Sequence, residues 1–274
     1  MQIPQKRWQR HSDLRTKSGC DAMITIKSRS EIEKMRVAGK ITGLALVEIS
    51  KHIKPGVTTA ELDKIARDFI KRQGAIPSFL NYNGYPASIC ASVNDAVVHG
   101  IPSKDIVLKE GDIISIDVGA YKDGYHGDAA RTYGVGKISD EAQRLIDVTK
   151  QSFFEGLKFA THGAKLGDIS AAIQEYAENN GYSVVRDLVG HGIGKEMHED
   201  PSVPNFGRRG KGVKLASGMT LAIEPMINAG EYDVAVLDDD WTVVTEDGSL
   251  SAHYENTVLI TKDKAEILTM YDEV

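Results

Sequence analysis

The chain has 274 residues, 41% of them hydrophobic and 26% charged, which is typical of a globular protein with a sizeable buried core. Its net charge of -6 argues against nucleic acid as a main partner, because duplex binding depends on clustered lysine and arginine. No apolar run approaches the ~18 residues that a membrane span needs. The two cysteines form no disulfide framework or metal pattern, which fits a reducing compartment.

The first 22 residues differ in character from the rest of the chain. They include five basic residues and show neither apolar periodicity nor the apolar core of a secretory signal. We interpret residues 1–22 as a leader, a tag or a segment before an alternative start, outside the fold. Residues 23–274 carry the ordered pattern and are enough for one large domain or two ordinary ones.

Two segments that lie 107 positions apart carry the same helical pattern. The stretches "GVTTAELDKIARDFIKRQG" (56–74) and "GAKLGDISAAIQEYAENNG" (163–181) both place apolar residues at i, i+3, i+4 and i+7, and both close with glycine. Each is therefore predicted to be an amphipathic helix with one buried face. A further helical stretch precedes each of them, at 31–52 and at 141–161.

The same offset recurs after these helices. The stretch "LKEGDIISID" (108–117) aligns without a gap with "LASGMTLAIE" (215–224), which matches Asp117 with Glu224. Each half then consists of two helices followed by a β-hairpin. We predict an α+β fold whose two halves face each other about a pseudo-two-fold axis, with Asp117 and Glu224 on opposite walls of a central cleft.

Two carboxylates are predicted to meet in the first hairpin. Apolar and polar residues alternate up to Asp117, and the turn residues Lys122 to Gly124 follow. A turn centred at 122–123 would set Asp117 directly opposite Asp128, with Cβ atoms ~5 Å apart. Two carboxylates that close need a cation, unless one of them is protonated.

Two more acids stand among apolar residues in the second half. Glu224 precedes a proline in "GMTLAIEPM", and Glu255 lies in "LSAHYENTVLI"; we predict that both are on strands. Four buried acids on matching hairpins exceed what a hydrogen-bonded core accommodates, so we predict that they bind metal, as two divalent ions. Carboxylate-rich ligation suits Mn, Fe(II), Co or Zn.

The stretch "LVGHGIGKEMHEDP" (188–201) holds two histidines in a glycine-rich segment. The glycines disfavour a helix, so we predict a loop. On its own this loop indicates either a metal or proton-transfer site or a surface loop with incidental histidines. Beside four acids, one imidazole completes a five-ligand site, and the other can line the cleft together with His99.

From about residue 23 onwards the chain resembles the type I methionine aminopeptidases, which have the creatinase or pita-bread fold. The resemblance rests on "NGYPASICASVNDAVVHGIP", "GDIISIDVGAYKDGYHGDAARTY", "GHGIGKEMHEDP", "GMTLAIEPM" and "DGSLSAHYENTVLI". It implies a single catalytic domain with two helix-helix-hairpin halves around a central curved antiparallel sheet. All five of the family's ligand positions are matched: Asp117 for one ion, His191 and Glu224 for the other, and Asp128 and Glu255 as bridges.

The resemblance also implies roles in the cleft. His99 and His198 match two histidines that contact the scissile peptide, and Glu224 is the candidate to accept and pass the proton. The pocket for the methionine side chain is expected at Phe79, Tyr82, Tyr85, Cys90, Met197 and Trp241. Asn94 and Ser251 resemble positions around a monovalent cation.

The implied activity is metal-dependent removal of the N-terminal methionine from nascent chains and peptides, with a preference for a small second residue. The implied partners are such peptides and, transiently, the ribosome; we expect a monomer in the cytoplasm, with no membrane or specific nucleic-acid partner.

Three alternatives belong to the same fold. X-Pro aminopeptidases and prolidases usually carry a large extra N-terminal domain, and type II methionine aminopeptidases carry a helical insertion where only 31 positions separate Glu224 from Glu255. Non-catalytic binding proteins of this fold have typically lost metal ligands, whereas this sequence retains all five.

Overall fold

The computed structural model describes residues 24–271, so the predicted leader 1–22 lies outside the described residues. None of the helices in that range combines the length and the hydropathy that crossing a membrane requires.

The two predicted pairs of helices are present. They are α1 (Arg29–Ser50), α2 (Thr59–Arg72), α3 (Asp140–Leu157) and α4 (Leu166–Asn179). Helix α2 begins where the Thr58 side chain accepts a hydrogen bond from the backbone N–H of Glu61, whose carboxylate accepts one from the N–H of Thr58. Gly74 follows the end of α2 and Gly181 follows the end of α4; both glycines have positive φ, at 65° and 85°.

Short strands make up most of the remaining regular structure. In chain order they are β1 (Ile76–Pro77), β2 (Ile89–Val93), β3 (Ala96–Val98), β4 (Ile113–Lys122), β5 (Tyr125–Gly134), β6 (Ser183–Val184), β7 (Gly190–Gly192), β8 (Glu199–Val203), β9 (Thr220–Ile223), β10 (Met226–Asn228), β11 (Val234–Val236), β12 (Val243–Thr245), β13 (Ser251–His253), β14 (Asn256–Leu259) and β15 (Glu266–Ile267). A 3-10 turn spans Tyr82–Gly84.

The predicted internal symmetry is confirmed by the strand pairing. Strand β4 pairs antiparallel with β2 and β5, and its counterpart β9 pairs antiparallel with β7 and β14. The two halves meet where β5 runs beside the start of β14: the N–H of Glu255 donates to the carbonyl of Ala130 at 2.9 Å. We call this line of contact between β5 and residues 253–257 the seam.

Alternation along β4 decides which residues reach the core. Ile114, Ile116 and Val118 are fully buried and pack with α1 and α2, so Ser115 and Asp117 lie on the other face of the strand. Burying each of these branched side chains contributes roughly 1.5–3 kcal/mol to the free energy of folding. This core therefore fixes the face on which Asp117 stands.

The predicted register of the first hairpin is wrong by two residues, because the centre of the turn lies one position later than expected. The turn is the pair Asp123-Gly124, both with positive φ, so Asp117 pairs with Ala130 and Asp128 pairs with Gly119. Two consecutive residues with positive φ are what a two-residue hairpin turn needs. The two aspartates are therefore diagonal neighbours on one face rather than directly opposed.

The second hairpin is interrupted, which corrects the prediction that its acids lie on strands. Glu224 falls between β9 and β10, and Glu255 falls between β13 and β14. Pro225 has no N–H, so the ladder cannot continue through it. The pairing keeps one register across the interruption, since Ile223 pairs with Asn256 before it and the N–H of Tyr254 donates to the carbonyl of Pro225 within it.

Candidate metal centre and active site

A cavity of about 240 Å³ collects the predicted ligands, cleft histidines and pocket residues. Its lining comprises Phe79, Tyr82, Asn83, Tyr85, Cys90, His99, Asp117, Asp128, His191, Met197, His198, Glu224, Trp241 and Glu255. Both halves of the chain contribute to it. Asn94 and Ser251 do not line it, although they touch each other: the N–H of Ser251 donates to the carbonyl of Asn94 at 2.9 Å.

The carboxylates converge because their strands are in one register. Register pairs Asp117 with Ala130, the seam joins Ala130 to Glu255, and the interrupted hairpin places Glu255 across from Glu224. Residues opposite one another on neighbouring antiparallel strands share a face. Three acids that are far apart in the sequence thus stand in one row, which we call the acid row, and Asp128 stands beside it.

The side chains in and beside this row are close enough to share ions. Asp128, His191 and Glu255 each offer a ligand atom, and these atoms lie within 4.8 Å of one another. The Nε2 atom of His191 is 3.8 Å from Asp128 Oδ2 and 3.6 Å from Glu224 Oε1. The geometry brings together all five positions that the motifs predicted as ligands.

Burial makes this cluster unfavourable without cations. It raises the pKa of Asp117 to about 7. Burial, and then repulsion from neighbouring acids, raises the pKa values of Asp128, Glu224 and Glu255 well above their usual range. Oxygens of Asp117, Asp128 and Glu255 are buried without a hydrogen-bond partner. Such groups cost free energy unless something binds them, and divalent ions that prefer oxygen and imidazole donors fit this set.

The segment that carries His191 is a strand rather than the predicted loop. A Cβ at Gly190 would lie 2.3 Å from the carbonyl oxygen of Ala222, and one at Gly192 would lie 2.2 Å from that of Asp200. Glycine therefore allows β7 to fit between β8 and β9. His191 Nδ1 lies 2.8 Å from the carbonyl oxygen of Gly192, to which its N–H can donate, leaving Nε2 directed at the carboxylates.

The histidines around the cleft are held neutral. Burial and the nearby His198 lower the pKa of His191 to about 3, and the same two causes lower that of His99 to about 4. Burial also lowers the pKa of His198. His99 adopts a positive φ of 59° directly after β3, a conformation uncommon outside glycine that occurs at functional sites.

His198 also has a hydrogen-bond partner outside the acid row. Its Nδ1 lies 2.7 Å from the hydroxyl of Tyr82, and its ring centroid lies 4.2 Å from that of His191. If the Tyr82 hydroxyl donates to Nδ1, the Nε2 atom of the neutral ring carries the proton. The imidazole is then a hydrogen-bond donor at Nε2.

An apolar pocket adjoins the acid row. Phe79, Tyr85, Cys90 and Met197 are buried together, and the Trp241 ring packs edge-on against Tyr85 at 5.0 Å between centroids. Cys90 is the register partner of Asp117, which places the pocket wall on the strand next to a predicted ligand. The hydroxyl of Tyr85 donates to the carbonyls of Ile89 and Gly100, both at 3.0 Å, so the pocket receives only the ring.

Two residues of this region were missed by the sequence analysis. Asn83 lines the cavity, and nothing in its turn context distinguishes it. His253 is 2% exposed, and its Nε2 lies 3.8 Å from Glu224 Oε2. Burial, His99 and Arg131 together lower the pKa of His253 to about 3. Its position two residues before Glu255, at the end of β13, was the available signal.

Comparison with known proteins places the chain in a class. Residues 33–262 match metallopeptidase family M24, which is most of the chain, so the chain belongs to that family. The fold and the buried donor set agree with this membership.

Two relatives show which members the chain is similar to. It is 63% identical to a methionine aminopeptidase from Clostridium acetobutylicum over 248 residues, covering 90% of this chain and 99% of the relative. A crystal structure of methionine aminopeptidase from Rickettsia prowazekii is 49% identical, with a TM-score of 0.89, covering 90% of this chain and all of that one. The predicted resemblance to methionine aminopeptidases is confirmed.

A more distant structure shares only the fold. Prolidase from Pyrococcus furiosus is 24% identical with a TM-score of 0.73, and the match covers 90% of this chain but 66% of the prolidase. The predicted pita-bread architecture is thereby confirmed. The higher identity and full-length cover favour the methionine aminopeptidases over the X-Pro alternatives.

Proposed function

We propose that this chain removes the N-terminal methionine from peptides and nascent proteins with two divalent ions, and that it prefers a small second residue. The observation that carries the proposal is the contact between an apolar pocket and a buried acid row, through the paired residues Cys90 and Asp117. A methionine side chain in the pocket would bring the first peptide bond to the acid row. The names of the methionine aminopeptidases at 63% and 49% identity support the same substrate.

The ligand assignment follows the two halves of the molecule. Asp117 would hold one ion, His191 and Glu224 would hold the other, and Asp128 and Glu255 at the seam would bridge them. Mn, Fe(II), Co and Zn all accept this oxygen-rich set. When bound, such ions polarise a substrate carbonyl and lower the pKa of a water to ~7.

Three residues would take part in the hydrolysis itself. His99 and His198, both held neutral, would donate hydrogen bonds to the peptide and to the oxygen that gains charge. Glu224 would accept a proton from the attacking water and pass it to the departing amine.

The pocket would select the first residue by shape and polarity. The rings of Phe79, Tyr82, Tyr85 and Trp241 and the side chains of Cys90 and Met197 offer no exposed charge to the substrate side chain. Methionine is unbranched and polarisable, and its sulfur contacts aromatic rings favourably. Met197 can adjust its own conformation against it.

Several further features belong to this proposal. The chain would act as a monomer in the cytoplasm and meet its substrates in transient association with the ribosome. Asn94 and Ser251 would neighbour a monovalent cation, which their direct contact supports.

The test is release of free methionine from peptides that differ in the second residue. Protein stripped with a chelator would be assayed on Met-Ala-Ser, Met-Pro and Met-Lys peptides, with Mn, Fe(II), Co or Zn added back singly. We expect metal-dependent release from the first two and little from the third. Release from X-Pro peptides instead would identify the other enzyme class of this fold, and no release with any metal would favour a binding protein.

A further inference from the structure

His253 is a buried histidine that does not line the cavity of the acid row. Both of its ring nitrogens are buried without a hydrogen-bond partner. An imidazole N–H buried without an acceptor costs roughly 1–3 kcal/mol of folding free energy. A role in the site would offset that cost.

The backbone of His253 is held firmly in place. The hydroxyl of Thr132 accepts a hydrogen bond from the N–H of His253 at 2.8 Å and donates one to its carbonyl at 2.9 Å. That hydroxyl also lies 2.8 Å from the hydroxyl of Ser115 on the next strand. The side chain of His253 therefore starts from a fixed point on the seam.

Glu224 lies between two histidines. Its Oε1 is 3.6 Å from Nε2 of His191, whereas its Oε2 is 3.8 Å from Nε2 of His253. His191 lines the cavity that holds the acid row, but His253 lines a second cavity of about 230 Å³ with Arg131, Lys150 and Tyr254. One oxygen of Glu224 thus faces the proposed metal centre, and the other faces away from it, toward His253.

We propose that His253 is a positioning residue, which donates its Nε2–H to Glu224 Oε2 and so orients the carboxylate that holds one ion. A small rotation of the ring, or one bridging water, closes the remaining 3.8 Å. The inference rests on the proposed function, since it assumes that Glu224 is a metal ligand. Partners behind a ligating carboxylate fix its orientation, and their loss typically weakens metal binding 10–100-fold.

The alternative is that His253 only fills space in the core, and the two roles predict opposite effects on stability. Leucine has a similar reach and no polar atom, so in the metal-free protein His253→Leu removes an unpaired polar group and does not lower the thermal midpoint. A packing role predicts a lower midpoint and unchanged metal affinity. Glutamine keeps an N–H donor at a comparable reach, so His253→Gln preserves a positioning role.

The experiment is calorimetric titration of the full, metal-free chain with Mn(II), together with thermal unfolding of the same samples. The variants are His253→Leu, His253→Gln and the control His52→Leu, which changes an exposed histidine after α1. We expect His253→Leu to weaken one of two binding events 10–100-fold, with the thermal midpoint unchanged or higher. We expect His253→Gln and His52→Leu to stay within about threefold of the parent chain.

Three results would overturn the inference. His253→Leu could bind Mn(II) as the parent does, His253→Gln could lose as much affinity as His253→Leu, or the leucine variant could lose stability alone. If the parent chain itself binds no Mn(II), the proposed function fails instead.

Discussion

The two hairpins that supply the acids are built differently, although the sequence repeats between them. In the first, β4 and β5 run unbroken for ten residues each, and Asp117 and Asp128 are ordinary members of the ladder. In the second, the strands break at Glu224 and again at Glu255, and each acid stands in the gap. The first hairpin holds its acids within one ladder, whereas in the second Glu255 leaves the strands of its own hairpin and hydrogen-bonds Ala130 across the seam.

Both halves also contribute to the rest of the site. Phe79, Tyr85 and Cys90 bring their side chains to the pocket from the first half, whereas Met197 and Trp241 bring theirs from the second. The cleft histidines are divided in the same way, with His99 in the first half and His198 in the second. The difference teaches that neither half holds a complete pocket or a complete set of imidazoles, so substitutions of single residues, rather than of one half, should separate binding from chemistry.

The largest effect is expected at the seam, where one residue serves both halves. Asp128→Asn removes a charge from the middle of the cluster, and we expect kcat/KM to fall by roughly 10⁴-fold, as for members of a catalytic unit. Methionine release at saturating metal measures it. Asp123→Asn makes the same change in the exposed turn of the same hairpin and should be neutral; equal losses in both would show that the hairpin merely misfolds.

The two cleft histidines come from different halves but are proposed to do the same job. His99→Ala and His198→Ala should each lower kcat by about 10²–10³-fold, the usual loss for one donor to a developing oxyanion. Metal content, measured by atomic spectroscopy, should not change in either variant. A loss of metal in either one would make that histidine a ligand and contradict the division drawn here.

Two tyrosines of the first half separate catalysis from stability. The Tyr82 hydroxyl bonds His198 of the second half, so Tyr82→Phe should lower kcat about tenfold, with no change in the thermal midpoint. The Tyr85 hydroxyl bonds carbonyls of its own half, so Tyr85→Phe should lower the free energy of unfolding by about 1–3 kcal/mol and spare kcat. The reverse pattern would show that Tyr82 does not orient His198.

The smallest effect concerns repulsion between the acids of the two halves. The pKa of Asp117 is raised to about 7 and those of Glu224 and Glu255 are raised well above their usual range, so the folded metal-free protein holds extra protons that the unfolded chain has released. Stability is therefore lost as pH rises through these values. The buried histidines, with lowered pKa values, cost stability only below their unfolded pKa of about 6.5.

Thermal unfolding of the metal-free protein between about pH 6.5 and 8 measures the contribution of the acids to stability without that of the histidines. We expect the midpoint to fall by a few degrees across this window, since 1 kcal/mol is worth about 2–4 °C in a domain of roughly this size. Mn(II) should abolish the fall, because bound ions keep the acids ionised in the folded state. The same slope with and without Mn(II) would contradict the clustering of the acids.

Much of the fold and of the site could be predicted because it depends on the alternation of residues along strands and on apolar spacing along helices. The face of Asp117 follows from alternation with Ile114 and Ile116, and the helix pairs follow from apolar stripes closed by glycine. The register of the first hairpin was missed because the Asp123-Gly124 turn moves its centre by one position. That choice depends on turn geometry rather than on hydrophobic pattern.

The remaining errors share another cause, which is contact between distant segments. The strand at His191 depends on β8 and β9 approaching two glycines, and the role of His253 depends on the seam. The break at Glu224 follows from Pro225, but the break at Glu255 lies on the other strand of the hairpin, which has no proline there. Local patterns do not encode such pairings.

The central claim is that two halves share one two-ion centre, and metal stoichiometry tests it most directly. Mn(II) bound per chain would be counted by calorimetry for the parent, for Asp117→Asn in the first half and for His191→Asn in the second. We predict two ions in the parent and one in each variant, because each variant removes the ligand that only one ion uses. A single ion in the parent, or two ions in both variants, would contradict the shared centre.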